Sequence, residues 1–375
     1  MTDQKTNILI AGGKTGGHLF PGIAIAKALQ RENSNVKILF AGLGTEFETR
    51  TVSASGFNHA KLYSKPIKGK NLITLMFSLF IIPLSIFQAL LILKKFKPVI
   101  VIGTGGFSSF PVVASAWLCG IDTAIQEQNT IPGLTNRILS KIAGAIFLNF
   151  QKTKLLSKKS NAFHFGNPVR KTEEQTDQTL ENRNKPFFKE SSKEQFTILV
   201  SGGSQGAKSI NKAFVDALNL IDNTDQYRII HQTGEKDEQY IQAQYLKARI
   251  KNSIVQAFFD NLGIYQDMAD LIISRAGAGT ISEICLKGLP AILIPYPFAA
   301  DDHQTSNAQE LEKINAAIVI RDIDLTGQIL KQHIENLKNN AAVLKKMGQA
   351  SLSIAMPDAD IKIARKLLLM AAKQG

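Results

Sequence analysis

The stretch "ILIAGGKTGGHLFPG", which begins at Ile8, sets four glycines around Lys14 and Thr15 and follows them with His18. Backbone N–H groups exposed in such a turn, and at the start of a helix that follows it, favour an anion, above all a diphosphate. The "GKT" within it invites comparison with a nucleotide-binding P-loop, which needs a glycine five positions before the one that precedes the lysine. For Gly13 that position is Ile8, inside the apolar run, and the pattern fails. "GGSQGAKS" comes nearer, with Gly202 opening the frame and Lys208-Ser209 closing it, but Ala207 replaces the last glycine. No turn has the three-glycine spacing of a dinucleotide fingerprint, and "VKILFAG" lacks the acidic residue expected on a ribose. Glu283, just inside "SRAGAGTISE", is a different matter. A carboxylate there can accept both hydroxyls of a ribose, or simply suit the positive end of a helix from its first turn.

These residues need elements to position them, and the chain repeats one device. Four times an apolar run feeds a glycine-rich turn and then a helical stretch: "NILIAGGKTGGH", "VIVIGTGGFSSFP", "FTILVSGGSQGAKS" and "LIISRAGAGTISE". Continuous Val/Ile/Leu runs alternating with helices predict parallel sheets covered on both faces, with ligands beyond the carboxyl ends of the strands. Two turns fall in each half, separated by the polar stretch from Arg170 to Gln195. The expected fold class is therefore α/β, with two doubly wound Rossmann-like domains facing one another across a cleft. Residues 1–168 form the first, 169–195 the linker and 196–357 the second. An amphipathic helix at about 358–375 can pack on either half, the first included.

A chain of 375 residues, 44% of them hydrophobic, is long enough for two cores. Its net charge of +13 points to a negatively charged partner, while few aromatics and no basic stripe interleaved with them argue against nucleic acid. Cys119 and Cys285 lie far apart in apolar contexts, which suits a reducing compartment. The N-terminal apolar run is too short for a signal peptide, and a cytoplasmic protein is expected. "NLITLMFSLFIIPLSIFQALLIL" runs 23 residues without a charge. Its length would span a bilayer, but a single crossing would divide strands that should share a sheet, and Pro83 predicts two shorter pieces. The later piece reads as a buried core helix. The earlier one, with Leu72, Leu75, Met76, Leu79 and Phe80 flanked by Lys65, Lys68 and Lys70, suits an anionic membrane surface.

"GGKTGGHLFPG", "EQNTIPGLTNR", "GNPVR", "GGSQGA", "SRAGAGTISE" and "DDHQTSNA", in this order, resemble glycosyltransferase family 28 in its branch of peptidoglycan N-acetylglucosaminyltransferases. The resemblance covers nearly the whole chain. It implies the GT-B fold and inverting transfer of GlcNAc from UDP-GlcNAc to the C4 hydroxyl of MurNAc in lipid I, forming lipid II. It also implies no cofactor and no metal, so Asp322-Ile323-Asp324 and Asp358-Ala359-Asp360 are expected to be surface charge. The implied partners are UDP-GlcNAc, the polyprenyl-diphosphate-linked MurNAc-pentapeptide, an anionic membrane surface and other cell-wall enzymes. The implied location is peripheral, on the cytoplasmic face of the inner membrane. A related UDP-sugar transferase with another lipid acceptor, or a non-catalytic UDP-sugar-binding scaffold, are the alternatives.

Position by position, the resemblance sets Thr15, Gly16 and Gly17 beside the sugar and the acceptor diphosphate, and Asn129 on the GlcNAc. Arg170 and Ser204 meet the nucleotide and its phosphates, and the backbone at Phe259 reads the uracil edge. Ala278, Gly279, Thr280, Ile281, Ser282 and Glu283 hold phosphate and ribose, with Glu283 on the ribose hydroxyls, and Gln304 holds GlcNAc hydroxyls. The displacement needs a base for the acceptor proton. His18 is the candidate, because an imidazole titrates near neutrality; alternatively it donates to the acceptor's phosphate or shapes the loop. Glu127 is the weaker candidate. Three departures stand out: Lys14 in a loop that commonly lacks lysine, Gln126 where a histidine commonly precedes "EQN", and Phe107 where tyrosine is usual.

Overall fold

The computed structural model describes residues 6–13, 15–64, 72–154, 156, 158–169, 195–203 and 205–372, with residues 72–80 described by their backbone alone. The chain divides into two compact units, Met1–Arg170 with Met356–Gly375, and Lys171–Ala355.

The first unit is built on a parallel sheet of β1 (Thr6–Ala11), β2 (Val36–Gly42), β3 (Asn58–Lys61), β4 (Ile100–Gly103), β5 (Asp122–Glu127), β6 (Ala145–Leu148) and β7 (Ala162–His164). Their order is β3-β2-β1-β4-β5-β6-β7. Ile8 of β1 pairs with Ile38 on one side and Ile100 on the other. Strand alternation then sorts the apolar runs onto two faces. Ile8, Ile10, Phe40, Ile102 and Phe147 pack with helix α1 (Gly16–Glu32), while Leu9, Val101, Ile125 and Ile146 pack with α3 (Leu72–Phe96) and α4 (Ser109–Leu118). The remaining helices of this unit include α2 (Glu46–Ala54) and α5 (Leu134–Leu139).

Pro83 does not divide the apolar stretch: α3 runs through it as one helix. Just beyond it the Ser85 hydroxyl donates to the Ile81 carbonyl at 2.7 Å. Nor is the later half of α3 simply core. Ser85, Ala89 and Leu93 form its buried stripe, while Leu84, Phe87 and Leu91 are 46%, 58% and 51% exposed, as are Trp117 at 49% and Leu118 at 65% on α4. The earlier half's side chains, and Lys65, Lys68 and Lys70, lie outside the described residues.

The second unit orders β8 (Phe196–Ser201), β9 (Tyr227–Gln232), β10 (Ser253–Gln256), β11 (Leu271–Ser274), β12 (Ala291–Leu293) and β13 (Ala317–Val319) as β10-β9-β8-β11-β12-β13, again all parallel. Its helices are α6 (Lys208–Leu220), α7 (Glu238–Lys247), α8 (Leu262–Met268), α9 (Ala278–Lys287), α10 (His303–Glu312), α11 (Gly327–Lys338) and α12 (Ala341–Ser353). Ile198, Val200, Ile229 and Ile273 face Ile210, Phe214 and Leu218 of α6 and Leu330 and Ile334 of α11 in one core.

In both sheets the strand order reverses beside the first strand, between β1 and β4 and between β8 and β11. Such switch points are where doubly wound sheets bind ligands. The four glycine-rich turns follow those four strands.

The last helix, α13 (Ala359–Ala371), returns to the first unit and packs on α1 through Ile363, Ala364 and Leu367. Asp360 pairs with Arg31 at 2.7 Å and Arg365 with Glu32 at 2.7 Å. Leu367 is fully buried. Leu367→Ala should therefore lower unfolding free energy by about 2–5 kcal/mol in denaturant titration. An unmoved midpoint would mean that α13 does not complete this core.

Candidate functional site

In the first unit, α1 begins directly after the first glycine turn, with Thr15 at its N-cap and Gly16 and Gly17 as its first residues. The first N–H groups of a helix have no partner within it, and here small residues leave them accessible. Thr15 makes no capping bond; its hydroxyl lies 3.3 Å from His18 Nδ1 instead. The imidazole rests on the second glycine turn. Gly105 has φ +100, and a Cβ there would come within 2.7 Å of His18 Cδ2, so both the conformation and the close approach require glycine.

Glu127, at the end of β5, is buried and its carboxylate is fully occupied. One oxygen accepts from the Asn129 backbone N–H at 2.9 Å and its Nδ2 at 3.3 Å; the other accepts from the Gly133 N–H at 3.3 Å and Asn136 Nδ2 at 2.9 Å. Burial raises the pKa of this carboxyl, and these four hydrogen bonds oppose the rise. Its evident work is to fold the loop that presents Asn129, which is half-buried.

In the second unit, the turn after β8 is locked to the turn after β9. Gly206, at φ +73, leaves no room for a Cβ, which would lie 2.0 Å from the Thr233 carbonyl. Behind this contact, Gln232 Nε2 donates to the Ser201 hydroxyl and the Gly203 carbonyl, and its Oε1 accepts the Phe259 N–H at 3.0 Å. The Phe259 ring packs at a tilt against Tyr265 with centroids 4.3 Å apart. The next residue, Gln266, is buried and donates to Glu283 at 3.1 Å. The segment at Phe259 and the carboxylate of Glu283 are thus set by one short helix, α8.

Helix α9 opens after Gly277, leaving the N–H groups of Ala278, Gly279 and Thr280 at its first turn. Ser282 donates back to the Ala278 carbonyl at 2.9 Å, and Ile281 is buried. Arg275, in the turn before α9, donates to the Ile294 and Pro295 carbonyls at 3.2 Å each, to Ser209 at 2.9 Å and to Asp322. Gln304 accepts the Tyr296 N–H at 2.9 Å, which aims its amide nitrogen away from that bond. Asp322 is thereby engaged by Arg275 and Asp324 by Arg321, while Asp360, expected at the surface, is buried and paired with Arg31. Among the described residues, no group of three or more His, Cys, Asp or Glu could hold a metal ion.

Residues 8–148 match the glycosyltransferase family 28 N-terminal domain and residues 197–363 its C-terminal domain. A relative from Syntrophus aciditrophicus is 41% identical over 94% of this chain and 95% of its own length. One from Thermodesulfovibrio yellowstonii is 38% identical over 96% and 98%. Both are named UDP-N-acetylglucosamine–N-acetylmuramyl-(pentapeptide) pyrophosphoryl-undecaprenol N-acetylglucosamine transferase. The crystal structure of Acinetobacter baumannii MurG superposes with a TM-score of 0.76 at 28% identity, covering 97% of this chain and 99% of that one. This chain belongs to the MurG family of glycosyltransferases. A plant UDP-glucosyltransferase, 12% identical with a TM-score of 0.72 over 99% of this chain and 100% of its own, shares the fold alone. That fold is GT-B, and the two Rossmann-like units of this MurG-family chain are its halves.

Of the positions the family resemblance singles out, Thr15 and His18 are in contact, as are Glu127 and Asn129. Glu283 and the Phe259 segment meet through α8. Lys14, Arg170 and Ser204 lie outside the described residues. Sequence reasoning missed the buried amides behind the turns: Gln128, Asn136, Asn167, Asn211, Gln232 and Gln266. None sits at a spacing that signals its partner, although Gln128 and Asn136 lie inside "EQNTIPGLTNR" and Asn167 inside "GNPVR".

Asn211 belongs to a buried set beneath the turn at Gly234. Its Nδ2 donates to the Thr233 carbonyl and Asp237, so its Oδ1 must accept from His231 Nε2 at 3.0 Å. That leaves His231 Nδ1 to accept from the Tyr245 hydroxyl at 2.8 Å, which fixes a neutral Nε2–H tautomer. Burial pushes this histidine's pKa down to about 3. The unfolded chain takes up the proton near pH 6.5 and the folded one does not, so stability is lost as pH falls through the window between these values. Relative to a His231→Asn variant, the wild-type second unit should lose about 1.4 kcal/mol per pH unit across this window. Parallel urea stabilities from pH 7 to pH 4 would refute the buried neutral imidazole.

Proposed function

We propose that the protein transfers N-acetylglucosamine from UDP-GlcNAc to the C4 hydroxyl of MurNAc in lipid I, with inversion at the anomeric carbon, giving lipid II and UDP. The observation that carries this reading is Glu283, held by Gln266 beside the open first turn of α9. A carboxylate for a ribose next to free N–H groups for phosphates is a cradle for a nucleoside diphosphate. The near full-length relatives supply the identity of the sugar and the acceptor.

In this reading the α9 turn, Ser204 and Arg170 take the diphosphate, and Glu283 accepts both ribose hydroxyls. The uracil meets the carbonyl of Phe259, since its N–H is held by Gln232. Asn129 and the Gln304 amide bind GlcNAc. The acceptor oxygen forms its bond to the anomeric carbon as the bond to the UDP oxygen breaks, and fixed N–H donors stabilise the charge that develops on the departing diphosphate. His18, oriented by Thr15 on the Gly105 turn, takes the acceptor proton. Glu127 positions Asn129 and leaves the proton transfer to His18.

The acceptor is carried on a polyprenyl chain, and we place the enzyme peripherally at the cytoplasmic face of the inner membrane, where other cell-wall enzymes work. Among the described residues no helix is long and apolar enough to cross a membrane. Exposed Leu84, Phe87, Leu91, Trp117 and Leu118, together with Lys94 and Lys95 in the last turn of α3, support a membrane-facing surface. The sequence assigns the same task to Leu72, Leu75, Met76, Leu79, Phe80 and the lysines 65, 68 and 70.

Purified protein incubated with UDP-GlcNAc and a short-chain lipid I analogue should release UDP and yield a disaccharide one GlcNAc heavier by mass; donor binding without product would reduce the protein to a UDP-sugar-binding scaffold. Glu283→Ala should weaken UDP-GlcNAc binding about tenfold to a hundredfold by calorimetry, the loss of charge-assisted hydrogen bonds, and an unchanged affinity would remove the ribose from this site. Replacing Phe87 and Trp117 by serine should reduce sedimentation with phosphatidylglycerol vesicles; equal binding would remove this surface from the membrane.

A further inference from the structure

Behind the turn on which His18 rests runs a chain of buried amides that the reaction described above does not use. Gln126 is wholly buried, and Gln128 and Asn167 are each 3% exposed. Gln128 Nε2 donates to the Thr104 carbonyl at 2.6 Å and to Gln126 Oε1, and Gln126 Nε2 donates to Asn167 Oδ1 at 3.1 Å. A backbone carbonyl only accepts, so Thr104 dictates which end of Gln128 faces it. Gln126 must then turn its oxygen toward Gln128 and its nitrogen toward Asn167. The other end of Gln128 reaches the second glycine turn: a Cβ on Gly105 would lie 3.5 Å from Gln128 Oε1 and 2.7 Å from the His18 ring. The chain therefore has one polarity and ends against the seat of the imidazole. Buried amides that lose a partner are costly, which makes this arrangement unique rather than one of several.

We infer that Gln126 is a positioning residue for the transfer reaction: through Gln128 it fixes the Thr104–Gly105 turn and hence the place of His18. The inference rests on the proposed role of His18 at the reacting centre. A glutamine neither takes up nor releases a proton at working pH, so position 126 supplies geometry and no base. An imidazole at 126 can present one donor and one acceptor nitrogen, which is enough to continue the chain; leucine presents neither.

The test is steady-state UDP release with UDP-GlcNAc and a short-chain lipid I analogue for wild type, Gln126→Leu and Gln126→His. Gln126→Leu should lower kcat about tenfold to a hundredfold and leave the KM for UDP-GlcNAc within about twofold, because the groups held by Gln126 act on the acceptor side. Gln126→His should recover most of that loss, with a kcat pH profile superimposable on wild type. A Gln126→Leu kcat within about twofold of wild type would overturn the inference. So would a new ionisation in the Gln126→His profile, which would place position 126 against the reacting atoms. If circular dichroism shows that Gln126→Leu does not fold, Gln128→Met breaks the same chain and is read by the same criteria. Wild-type protein without transfer overturns the proposed function together with this inference, whereas wild-type transfer with an indifferent Gln126→Leu overturns this inference alone.

Discussion

Strand order is the constraint on which the rest of the molecule depends. When β1 and β4 lie side by side but send their following helices to opposite faces, no crossover covers the gap between their ends. The side chains record that division: α1 packs with Ile8 and Ile10 on one face, and α4 packs with Leu9 and Val101 on the other. β8 and β11 repeat the arrangement in the second unit. At each gap the turns must come close to one another and still leave backbone N–H groups exposed. Glycine meets both demands, and the polar machinery is then built behind the turns rather than in them.

The groups chosen for that machinery share a chemistry. Gln126, Gln128, Asn136 and Asn167 in one unit, and Asn211, Gln232 and Gln266 in the other, are neutral amides with low exposure. An amide offers a donor and an acceptor on a fixed plane without adding charge behind the turns. Buried charges in the same layer need partners of their own. Glu127 shows the cost, requiring four donors to sit where it does. Glu48, buried against Gly13, likewise accepts the Gly44 and Thr45 N–H groups, and Arg275 is committed to two carbonyls, Ser209 and Asp322. Asp322, which with Asp324 resembles a metal-ligand pair by spacing alone, is held by Arg275 for the same electrostatic reason, while Asp324 pairs with Arg321 at the surface.

What was legible in the sequence follows from this division of labour. Apolar runs ending in glycines declare a buried parallel strand and its turn, because burial on both faces and absence of Cβ are local requirements. The amides declare nothing: Gln126 meets Asn167 and Gln232 meets Phe259 across tens of residues, and no periodicity marks a buried glutamine. The apolar stretch of α3 fails for the opposite reason. When nearly every position is hydrophobic, the pattern no longer has a face, and only packing distinguishes buried Ala89 and Leu93 from exposed Phe87 and Leu91. Pro83 reads as a break because proline removes one helical hydrogen bond, yet the helix continues through it.

The C-terminal helix completes the argument from the other end of the chain. A helix N-terminus attracts an anion usefully only if the helix is held still, and α1 is anchored at both ends by different means. Its first turn is fixed by contact with Gly105. Its last turn is fixed by α13, through Arg31 with Asp360 and Glu32 with Arg365, pairs more than 300 positions apart in sequence. The first unit therefore cannot finish its core until the second has been traversed, a long-range closure that is slow to form because its entropy is lost before its contacts are gained. Ile363 and Leu367 share one buried core with Ile23 and with Leu19, one residue beyond His18. The helix that presents His18 is thus covered by side chains of α13.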